Sequence, residues 1–418
     1  MFAYSSARPV RDEIAANIDS DTRAALWKWT FAINVLLAPV YAWIASRATR
    51  ARLLGGMLLG SGACALGFAW LAGALSFDGW GYAGLDGRSR VWMESTFYVW
   101  LSVFVMFVVS ATWSLASDLY RTETARSVFG PVAAATSLGG VVGAWSTVGL
   151  SDAGVGAGPI LLIVSVALAA ACLPLWAVER RRITSEVDAD APTAIGGTVL
   201  SGFAAVVRSR YLLAIAGFIL LMTLANTVFY FAQSELARSL FDDRTARRAF
   251  LGRIDLWVNV FSLVGQLGVI GFVMRRGGLS MALAGLPVLA AGGFAALGWL
   301  EPRLESGALT GTSAALALGV LLGAQRVGRY AFARPAREAL FTLVTRDERF
   351  KSKSFIDTAV YRGGDVLWSE AYSVLEAGGM AVAGIALTGL PLVGVWLAGA
   401  VWLGRTAERR AAAADRAT

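Results

Sequence analysis

The chain has 418 residues, of which 56% are hydrophobic and 16% are charged, and its formal net charge is +8. A soluble chain of this length carries a larger share of charged residues, whereas the apolar residues here recur in runs of about 20, enough to cross a bilayer. The composition therefore excludes a soluble globular domain. It predicts an all-α polytopic membrane protein that has the lipid bilayer as a partner.

The histidine and cysteine content and the origin of the positive charge exclude further classes of protein. The chain has no histidine, which excludes imidazole proton relays and histidine-ligated metals. Cys64 and Cys172 lie in separate apolar runs without metal-ligand spacing, so we expect no metal and no cofactor. The positive charge comes almost wholly from arginine. Because cytoplasmic loops of membrane proteins concentrate such residues, we expect no nucleic-acid partner.

The first half of the chain is predicted to hold the end of one helix followed by complete spans. The apolar part before Arg8 is too short to cross a bilayer, so we interpret it as the tail of a truncated first helix. The acidic segment 12–21 is interpreted as an external loop. The predicted spans are 27–46, 53–75, 92–116, 128–150 and 159–178.

A polar linker at 180–197 precedes the second half. Residues 197–210 have the pattern either of an amphipathic helix on the membrane surface or of an early start to the next span. A charged loop is predicted at 238–248. The predicted spans of this half are 211–231, 255–274, 279–300, 309–333, 355–387 and 390–404.

These spans define the predicted domains and topology. We expect an N-terminal helix bundle at 1–182, a cytoplasmic linker with an interfacial helix at 183–207, a C-terminal bundle at 208–404 and a cytoplasmic tail at 405–418. Arginine-rich loops follow alternate spans, which places them and the C-terminus in the cytoplasm, beside a cell inner membrane. The loop at 238–248 is the exception to this alternation.

Two segments repeat one pattern in the two halves. Residues 123–140 contain Glu123 and Arg126, and they align without gaps on residues 347–364. Each segment joins an acidic and basic loop to a helix with paired glycines. Such a match is what parallel repeats in a transporter predict, and it makes Glu123 and Arg126 candidate gating residues.

Arginines concentrate at the end of the span 309–333 and just beyond it. Arg326, Arg329, Arg334 and Arg337 share a broad helical face. Charge at a membrane-embedded position is expensive and is a functional hypothesis by default. Because a guanidinium holds carboxylate or phosphate in a bidentate manner, we interpret these arginines as candidates for binding an anionic substrate.

Carboxylates and aromatic residues form a stripe along the following span. At about 100° per residue, Asp357, Tyr361, Asp365 and Glu376 fall on one face, with Arg362 beside it. Carboxylates opposite arginines form ion pairs that open in one state and close in another, or a static lock between helices, and the sequence leaves both open. The candidates for gating or proton coupling are Glu338, Asp357, Asp365 and Glu376; Tyr361 and Arg362 are candidates for substrate binding.

Neutral polar residues mark two other spans. Asn226, Tyr230 and Gln233 recur at helical spacing, and Trp113 lies among serines in the span 92–116. Such groups surround central substrate sites or form hydrogen bonds between helices, and we include these four residues among the substrate-binding candidates. No catalytic elbow, P-loop or zinc-protease motif occurs in the sequence, so we expect no catalytic residues and no enzyme.

The charged stretch resembles a known family. Residues 333–367 read ARPAREALFTLVTRDERFKSKSFIDTAVYRGGDVL, and they are similar to bacterial relatives of the ATP:ADP antiporters, the NTP/NDP exchange transporters. Residues 119–144 and 208–237 extend the resemblance. It implies the fold of the major facilitator superfamily, with twelve helices in two six-helix bundles, a central cavity and alternating access. Here about eleven helices would be complete.

We therefore expect a monomeric secondary transporter for an organic anion, such as a nucleotide or another phosphorylated metabolite taken by exchange. The alternative is a proton-coupled exporter of a small amphipathic compound, with Asp357, Asp365 or Glu376 as the proton carrier. A membrane scaffold or sensor with the same fold is a third interpretation.

Overall fold

The computed structural model describes residues 1–45, 47–73, 87–119, 122–177, 199–265, 270–344, 348, 352–353 and 355–415. Every regular element within these ranges is helical, and none of them contains a strand. This confirms the predicted all-α class. The first half contains α1 (Phe2–Asn17), α2 (Ser20–Ala45), α3 (Arg50–Leu71), α4 (Gly87–Leu119), α5 (Thr122–Asp152) and α6 (Ala157–Ala170).

The second half contains more helical elements than the first, and several of them are short. Two π-helical segments, Gly328–Ala333 and Ile356–Val360, lie next to its charged helices. The other helices are α7 (Val199–Arg208), α8 (Arg210–Leu240), α9 (Arg244–Val264), α10 (Ile270–Glu305), α11 (Gly311–Val327), α12 (Arg334–Leu340), α13 (Tyr361–Ala377), α14 (Val382–Thr388) and α15 (Leu390–Asp415).

Seven helical segments in the described part of the chain are long and apolar enough to cross a membrane. The chain is therefore a multi-pass membrane protein. The charged helices α11 and α13 are each 17 residues long, because a π-helical segment adjoins each of them. The predicted total of eleven complete spans stays a prediction. The seven segments are Ser20–Ala45, Ala51–Leu71, Gly87–Thr112, Ala157–Ala177, Arg210–Leu240, Arg276–Glu305 and Val382–Ala413.

Two predicted loops are wrong because their charged residues belong to helices. The segment 12–21 is helical as far as Asn17, and α2 begins at Ser20. The segment 238–248 is interrupted only briefly between Leu240 and Arg244. There the Asp243 carboxylate accepts a hydrogen bond from the Ala246 amide at 2.7 Å, which is the usual arrangement at a helix N-terminus.

The predicted span 355–387 is also wrong. Helix α13 ends at Ala377, and Gly379 follows with a φ of 85°, a conformation that glycine adopts without steric cost. The Met380 amide donates to the Leu375 carbonyl at 3.1 Å, so the last turn of the helix is closed in the manner of a glycine C-cap. The last long span therefore begins at Val382 rather than at residue 390.

Two further boundaries are resolved by the backbone. Helix α7 is a helix in its own right, separated from α8 at Ser209, whose hydroxyl accepts from the Leu212 amide at 3.4 Å. The backbone of Glu123 and Arg126 lies inside α5 rather than in a loop.

By packing, the chain divides into two compact units. Unit 1 comprises Met1–Ile18, Ala25–Thr193 and Phe241–Leu256. In its core, Val10 and Ile14 of α1 are fully buried with Phe97 of α4 and Leu161 of α6. Unit 1 thus includes the first half of α9, which follows α8 in the chain.

Unit 2 comprises Asp19–Ala24, Ala194–Leu240 and Trp257–Thr418. Helix α8 is its most deeply buried long helix. Gly278 interrupts α10 with a φ of 68°, and Glu408 of α15 accepts a hydrogen bond from the Ser280 amide just beyond it, at 2.9 Å. The predicted domain boundaries at 182, 207 and 404 stay predictions.

Candidate functional site

Polar side chains of α8 face α11 inside unit 2. Asn226, Tyr230 and Gln233 lie four and three residues apart, so they share one face of α8. Asn226 and Gln233 are buried, at 8% and 1% exposure. Arg326 of α11 is also buried and donates from Nη2 to Gln233 Oε1 at 2.8 Å. A predicted arginine and a predicted amide are therefore in direct contact.

The π-helical segment Gly328–Ala333 carries the next arginine. Arg329 Nη2 donates to the hydroxyl of Tyr330 at 3.0 Å, and its Cζ lies 4.7 Å from the centre of that ring. Gly328 lets this segment approach α10, because a Cβ there would collide with Leu289. A π turn holds more residues than an α turn, so the segment changes the direction of the side chains that follow it.

Helix α13 contributes Asp365, whose carboxylate interacts with both Arg362 and Arg329. Arg362 Nη1 lies 3.5 Å from Asp365 Oδ2. Asp365 interacts electrostatically with Arg362 and Arg329, and Tyr361 interacts with the same three residues. We call the following set the polar seam of unit 2: Asn226, Tyr230, Gln233, Gln325, Arg326, Arg329, Tyr361, Arg362 and Asp365.

Close packing between α13 and α8 fixes one side of this seam. Trp368 Nε1 donates to the Leu220 carbonyl at 2.8 Å, and the rings of Tyr372 and Phe231 are 4.6 Å apart. A Cβ at Gly364 would collide with the hydroxyl of Thr223. Small residues allow such close helix approach in membranes. Here the approach places Asp365 next to α8.

Several buried amide atoms of the seam have no hydrogen-bond partner among the described residues. They are both polar atoms of the Asn226 side chain, Gln233 Nε2 and Gln325 Nε2. A buried polar group without a partner costs about 1–3 kcal/mol. Gln325, exposed by only 3%, was not among the sequence candidates; its position next to Arg326 was the available signal.

A second cluster follows the seam in the chain. Arg337 Nη1 lies 3.4 Å from Asp357 Oδ1 without hydrogen-bond geometry, and Arg337 Nη2 lies 3.3 Å from Glu338 Oε1. Lys353 pairs with Glu338. Burial would raise the pKa of Glu338, but the hydrogen bond and charge of Lys353, together with Arg337, lower it below its ordinary value. Arg334 is exposed.

π-helical segments interrupt both predicted faces. Arg326 contacts Gln233, Arg329 interacts with Asp365, and Arg337 contacts Asp357 and Glu338. The prediction that four arginines share one face assumed an uninterrupted α-helix, and it stays a prediction.

At the other end of α13, Glu376 lies near an arginine that the sequence analysis missed. Tyr372 interacts electrostatically with Glu376, Arg23 and Glu235. Arg23 is 1% exposed, and its Cζ lies 4.7 Å from the centre of the Phe231 ring. Glu376 Oε2 is buried and has no hydrogen-bond partner in the described ranges.

Three predicted side chains lie outside the described residues. The backbones of Trp113, Glu123 and Arg126 are helical, in α4 and α5. The positions of their side chains are not part of the described structure, so their roles stay predictions.

Unit 1 contains a buried ion-pair cluster that the sequence analysis did not single out. Arg244 of α9 pairs with Glu13 of α1 and, at 2.9 Å, with Glu94 of α4. Arg8 lies 3.4 Å from both Asp12 and Asp255. These four carboxylates are exposed by 6% or less. We call this group, with Arg11, Arg247 and Arg248, the ion-pair cluster of unit 1.

Two arginines of this cluster, Arg247 and Arg248, bind neutral oxygens. Arg247 Nη1 donates to Asn17 Oδ1 at 2.8 Å, and Arg248 donates to Ser151 Oγ at 3.1 Å and to the Val155 carbonyl at 2.7 Å. One signal was present in the sequence. The arginine-rich segment 238–248 breaks the alternation of charged loops, as arginines that bind inside a helix bundle would.

The fold of this chain is similar to the folds of several solved membrane transporters. The chain is similar to a bacterial homologue of the iron transporter ferroportin in its inward-facing state, with a TM-score of 0.64 and 14% identity over 96% of this chain and 94% of that chain. It is also similar to a point mutant of the nucleoside transporter NupG (TM-score 0.62, 14% identity, 98% and 96% covered).

A third similar structure is an auto-inhibited peptide transporter of the POT family (TM-score 0.62, 12% identity, 98% and 94% covered). At these identities the likeness establishes the fold. No protein-family model and no curated protein matches the chain. The expected membership of the ATP:ADP antiporter family is therefore not confirmed.

Proposed function

We propose that this chain is a secondary active transporter that works by alternating access on an organic anion, such as a nucleotide or another phosphorylated metabolite taken by exchange. A nucleoside transporter, a peptide transporter and a bacterial homologue of the iron transporter ferroportin share its fold, which supports the transporter class. We further propose that it acts in the cell inner membrane with its C-terminus in the cytoplasm, as the arginine-rich loops indicate.

The observation that supports an anionic substrate is that arginines outnumber carboxylates in the polar seam. It contains Arg326, Arg329 and Arg362 but one carboxylate, Asp365. The next carboxylates of α13 are Glu370 and Glu376, about 7 Å and 16 Å further along the helix axis. Charge in a membrane-embedded region is a functional hypothesis by default, and guanidinium groups bind carboxylate and phosphate in a bidentate manner. A region with several arginines therefore favours an anionic substrate.

In this proposal Asp365 and the substrate compete for the same guanidinium groups. Arg362 holds Asp365 at 3.5 Å, and Arg329 interacts with the same carboxylate. A phosphate or carboxylate substrate accepts bidentate hydrogen bonds from these arginines, and Asp365 takes its place when the substrate leaves. Such an exchange of partners couples binding to a change of state.

Counterflow in proteoliposomes tests the proposal. Vesicles preloaded with ATP, ADP, a sugar phosphate or inorganic phosphate receive the labelled compound outside, and trans-stimulated uptake is measured. We expect Arg329→Gln to lower uptake of the transported anion about ten- to a hundredfold, because hydrogen bonds to charged groups contribute about 1.5–3 kcal/mol. Arg303→Gln is the matched control, because Arg303 is exposed and donates to the Trp299 carbonyl at 2.8 Å.

Equal uptake by the two variants would contradict the assignment of Arg329. An absence of uptake of every anion, by protein shown to be folded, would contradict the anion transporter itself.

Glu376 favours a second candidate function, proton-coupled export of a small amphipathic compound. Its buried, unpaired Oε2 among the described residues is a group that takes up a proton without breaking an existing hydrogen bond. Export that depends on a pH gradient and is lost in Glu376→Gln would support this candidate. Anion counterflow that continues unchanged in Glu376→Gln at every pH would exclude it.

A further inference from the structure

We propose that Asn226 selects among anions by binding an uncharged group of the substrate that offers both a hydrogen-bond donor and an acceptor. A nucleobase edge, a carboxamide and a hydroxyl all have this chemistry. The inference rests on the proposed anion transport. It adds a second recognition element, separate from the charge recognised by the arginines.

Asn226 differs from the other polar side chains of α8. Thr223 donates to the Leu220 carbonyl at 2.7 Å, Thr227 to the Thr223 carbonyl at 2.9 Å, and Ser234 to the Tyr230 carbonyl at 3.0 Å. Each hydroxyl is thus satisfied within its own helix. Asn226 makes no such bond, and both of its amide atoms lack a partner in the described part of the chain.

The stability of the fold does not explain why an amide without a hydrogen-bond partner is buried at position 226. A buried polar atom without a partner destabilises the fold, and an apolar residue of the same shape removes that penalty. Leucine nearly matches asparagine in size, and α8 contains many leucines. The amide of Asn226 therefore needs a partner that is present only in another state of the protein, and for a transporter that partner is the substrate.

The position of Asn226 fits this assignment. Gln233, on the same face of α8, contacts Arg326, and Asn226 lies seven residues earlier, about 10 Å along the helix axis. Asn226 is also one turn from Tyr230 and three residues from Thr223, where α13 packs at Gly364. It therefore lies on the α8 face bordered by α11 and α13, the helices that hold the arginines.

The chemistry of an amide defines the ligand group. Its nitrogen donates two hydrogen bonds and its oxygen accepts two, so a partner with a donor and an acceptor side by side satisfies both atoms at once. Inorganic phosphate held by the arginines is too small to reach Asn226 as well, because Asn226 lies about 10 Å along the helix axis from Gln233, which contacts Arg326. We therefore infer a substrate in which such a group is attached to the anionic part.

The test compares pairs of anions in wild type and in Asn226→Leu. A nucleotide, a sugar phosphate and inorganic phosphate are assayed by inhibition of counterflow, which gives an apparent affinity for each. We expect the wild type to prefer one of the two organic phosphates over inorganic phosphate. In Asn226→Leu this preference falls about tenfold or more, because a site built to bind a polar group discriminates strongly against compounds that lack it.

A second readout separates recognition from a structural role. Asn226→Leu is expected to keep or raise the midpoint of thermal unfolding without substrate, because it removes an unsatisfied amide. It is expected to lose the extra stabilisation that the preferred anion gives the wild type. Thr227→Val is the control, because it removes a hydroxyl that is satisfied within α8; its preference among anions should match that of the wild type.

The outcomes also separate this inference from the proposed function. If the wild type transports anions but Asn226→Leu retains the wild-type preference, the inference is overturned and anion transport stands. If Asn226→Leu lowers the unfolding midpoint and leaves the preference intact, Asn226 is a structural residue. If the wild type transports no anion, the proposed function itself fails.

Discussion

The ion-pair cluster of unit 1 and the polar seam of unit 2 are both built from arginines in a membrane protein, yet they differ in charge balance. In the cluster, five arginines accompany four buried carboxylates, and each carboxylate has an arginine within 3.4 Å. In the seam, three arginines accompany Asp365, and Arg326 donates to the neutral amide of Gln233.

This difference separates two uses of buried charge. A carboxylate with a matched arginine holds helices together, and removing one partner leaves an uncompensated charge. A region such as the seam, with three guanidinium groups and one carboxylate, is suited to an additional anion. The cluster also holds the segment Phe241–Leu256 within unit 1, through bonds from α9 to α1, α4 and the Ser151–Val155 region.

The largest expected effect comes from breaking the cluster. Arg244→Met removes the cation that pairs with Glu13 and Glu94, which are exposed by 0% and 6%. We expect a loss of about 3–5 kcal/mol in the free energy of unfolding, the range for breaking a buried ion pair. Denaturation of the purified protein in detergent measures it.

Arg253→Met on the same helix is the control for Arg244→Met. Its ion pair with Asp152 is exposed on both sides, at 52% and 45%, so we expect a loss of about 0–1 kcal/mol. Equal losses for the two variants would mean that burial of the Arg244 pair contributes nothing to the stability of unit 1.

The next prediction concerns the seam. Asp365→Asn removes the carboxylate that interacts with Arg362 and Arg329 and that competes with the anionic substrate in the proposed mechanism. We expect the apparent KM for the transported anion to fall about tenfold, equivalent to about 1.4 kcal/mol. Turnover should fall as well, because the arginines lose the carboxylate that replaces the substrate when it leaves. Initial rates of uptake over a range of anion concentrations measure both quantities. A rise in KM would instead make Asp365 a substrate-binding group or a proton carrier.

In both regions a glycine sets the distance between helices, and filling that space has a smaller effect. A Cβ at Gly143 would collide with the Phe2 carbonyl of α1, and a Cβ at Gly364 would collide with Thr223 of α8. We expect Gly143→Ala and Gly364→Ala each to cost about 1–3 kcal/mol in the free energy of unfolding.

The neighbouring glycines provide controls for this prediction. Gly149 of α5 and Gly363 of α13 have nothing within 4 Å of an added Cβ. Alanine at these positions should be neutral or stabilising by up to about 1 kcal/mol, because glycine weakens a helix interior. Thermal unfolding of the four variants in parallel compares them, and destabilisation by the controls as large as that of Gly143→Ala and Gly364→Ala would contradict the role of helix spacing.

The smallest effect is expected at the partly exposed pair of Glu338 and Lys353, whose side chains are 42% and 37% exposed. Glu338→Gln should cost less than about 1 kcal/mol near neutral pH. Because the pKa of Glu338 is lowered in the folded protein from its ordinary value of 4.5, the contribution is complete above that value and is lost as the pH falls through the lowered pKa.

A pH series of unfolding measurements on the wild type and Glu338→Gln checks this sign. The two proteins should converge below the lowered pKa and differ above pH 4.5. A difference that grows as the solution becomes more acidic would contradict the assignment.

The candidate site was predicted from the sequence where regular helix geometry applies. Spacing alone placed Asn226, Tyr230 and Gln233 on one face of α8, and the backbone bears this geometry out. Regular α-helical spacing does not apply within Gly328–Ala333 and Ile356–Val360, which are π-helical. It missed Glu13 and Arg244, because they are 231 positions apart in the chain and only packing brings them together.

The sequence by itself determined the class of this protein. Apolar runs of bilayer length admit no soluble fold, and the backbone hydrogen bonds of a lipid-embedded chain require helices or closed barrels. Only the tertiary structure decided which groups each charge contacts. An arginine on a helix has carboxylates available on several neighbouring helices, and the choice among them depends on where glycines let helices approach and where π turns redirect side chains. That choice made α9 part of an ion-pair cluster in unit 1 and placed Arg326 of the seam against the neutral amide of Gln233.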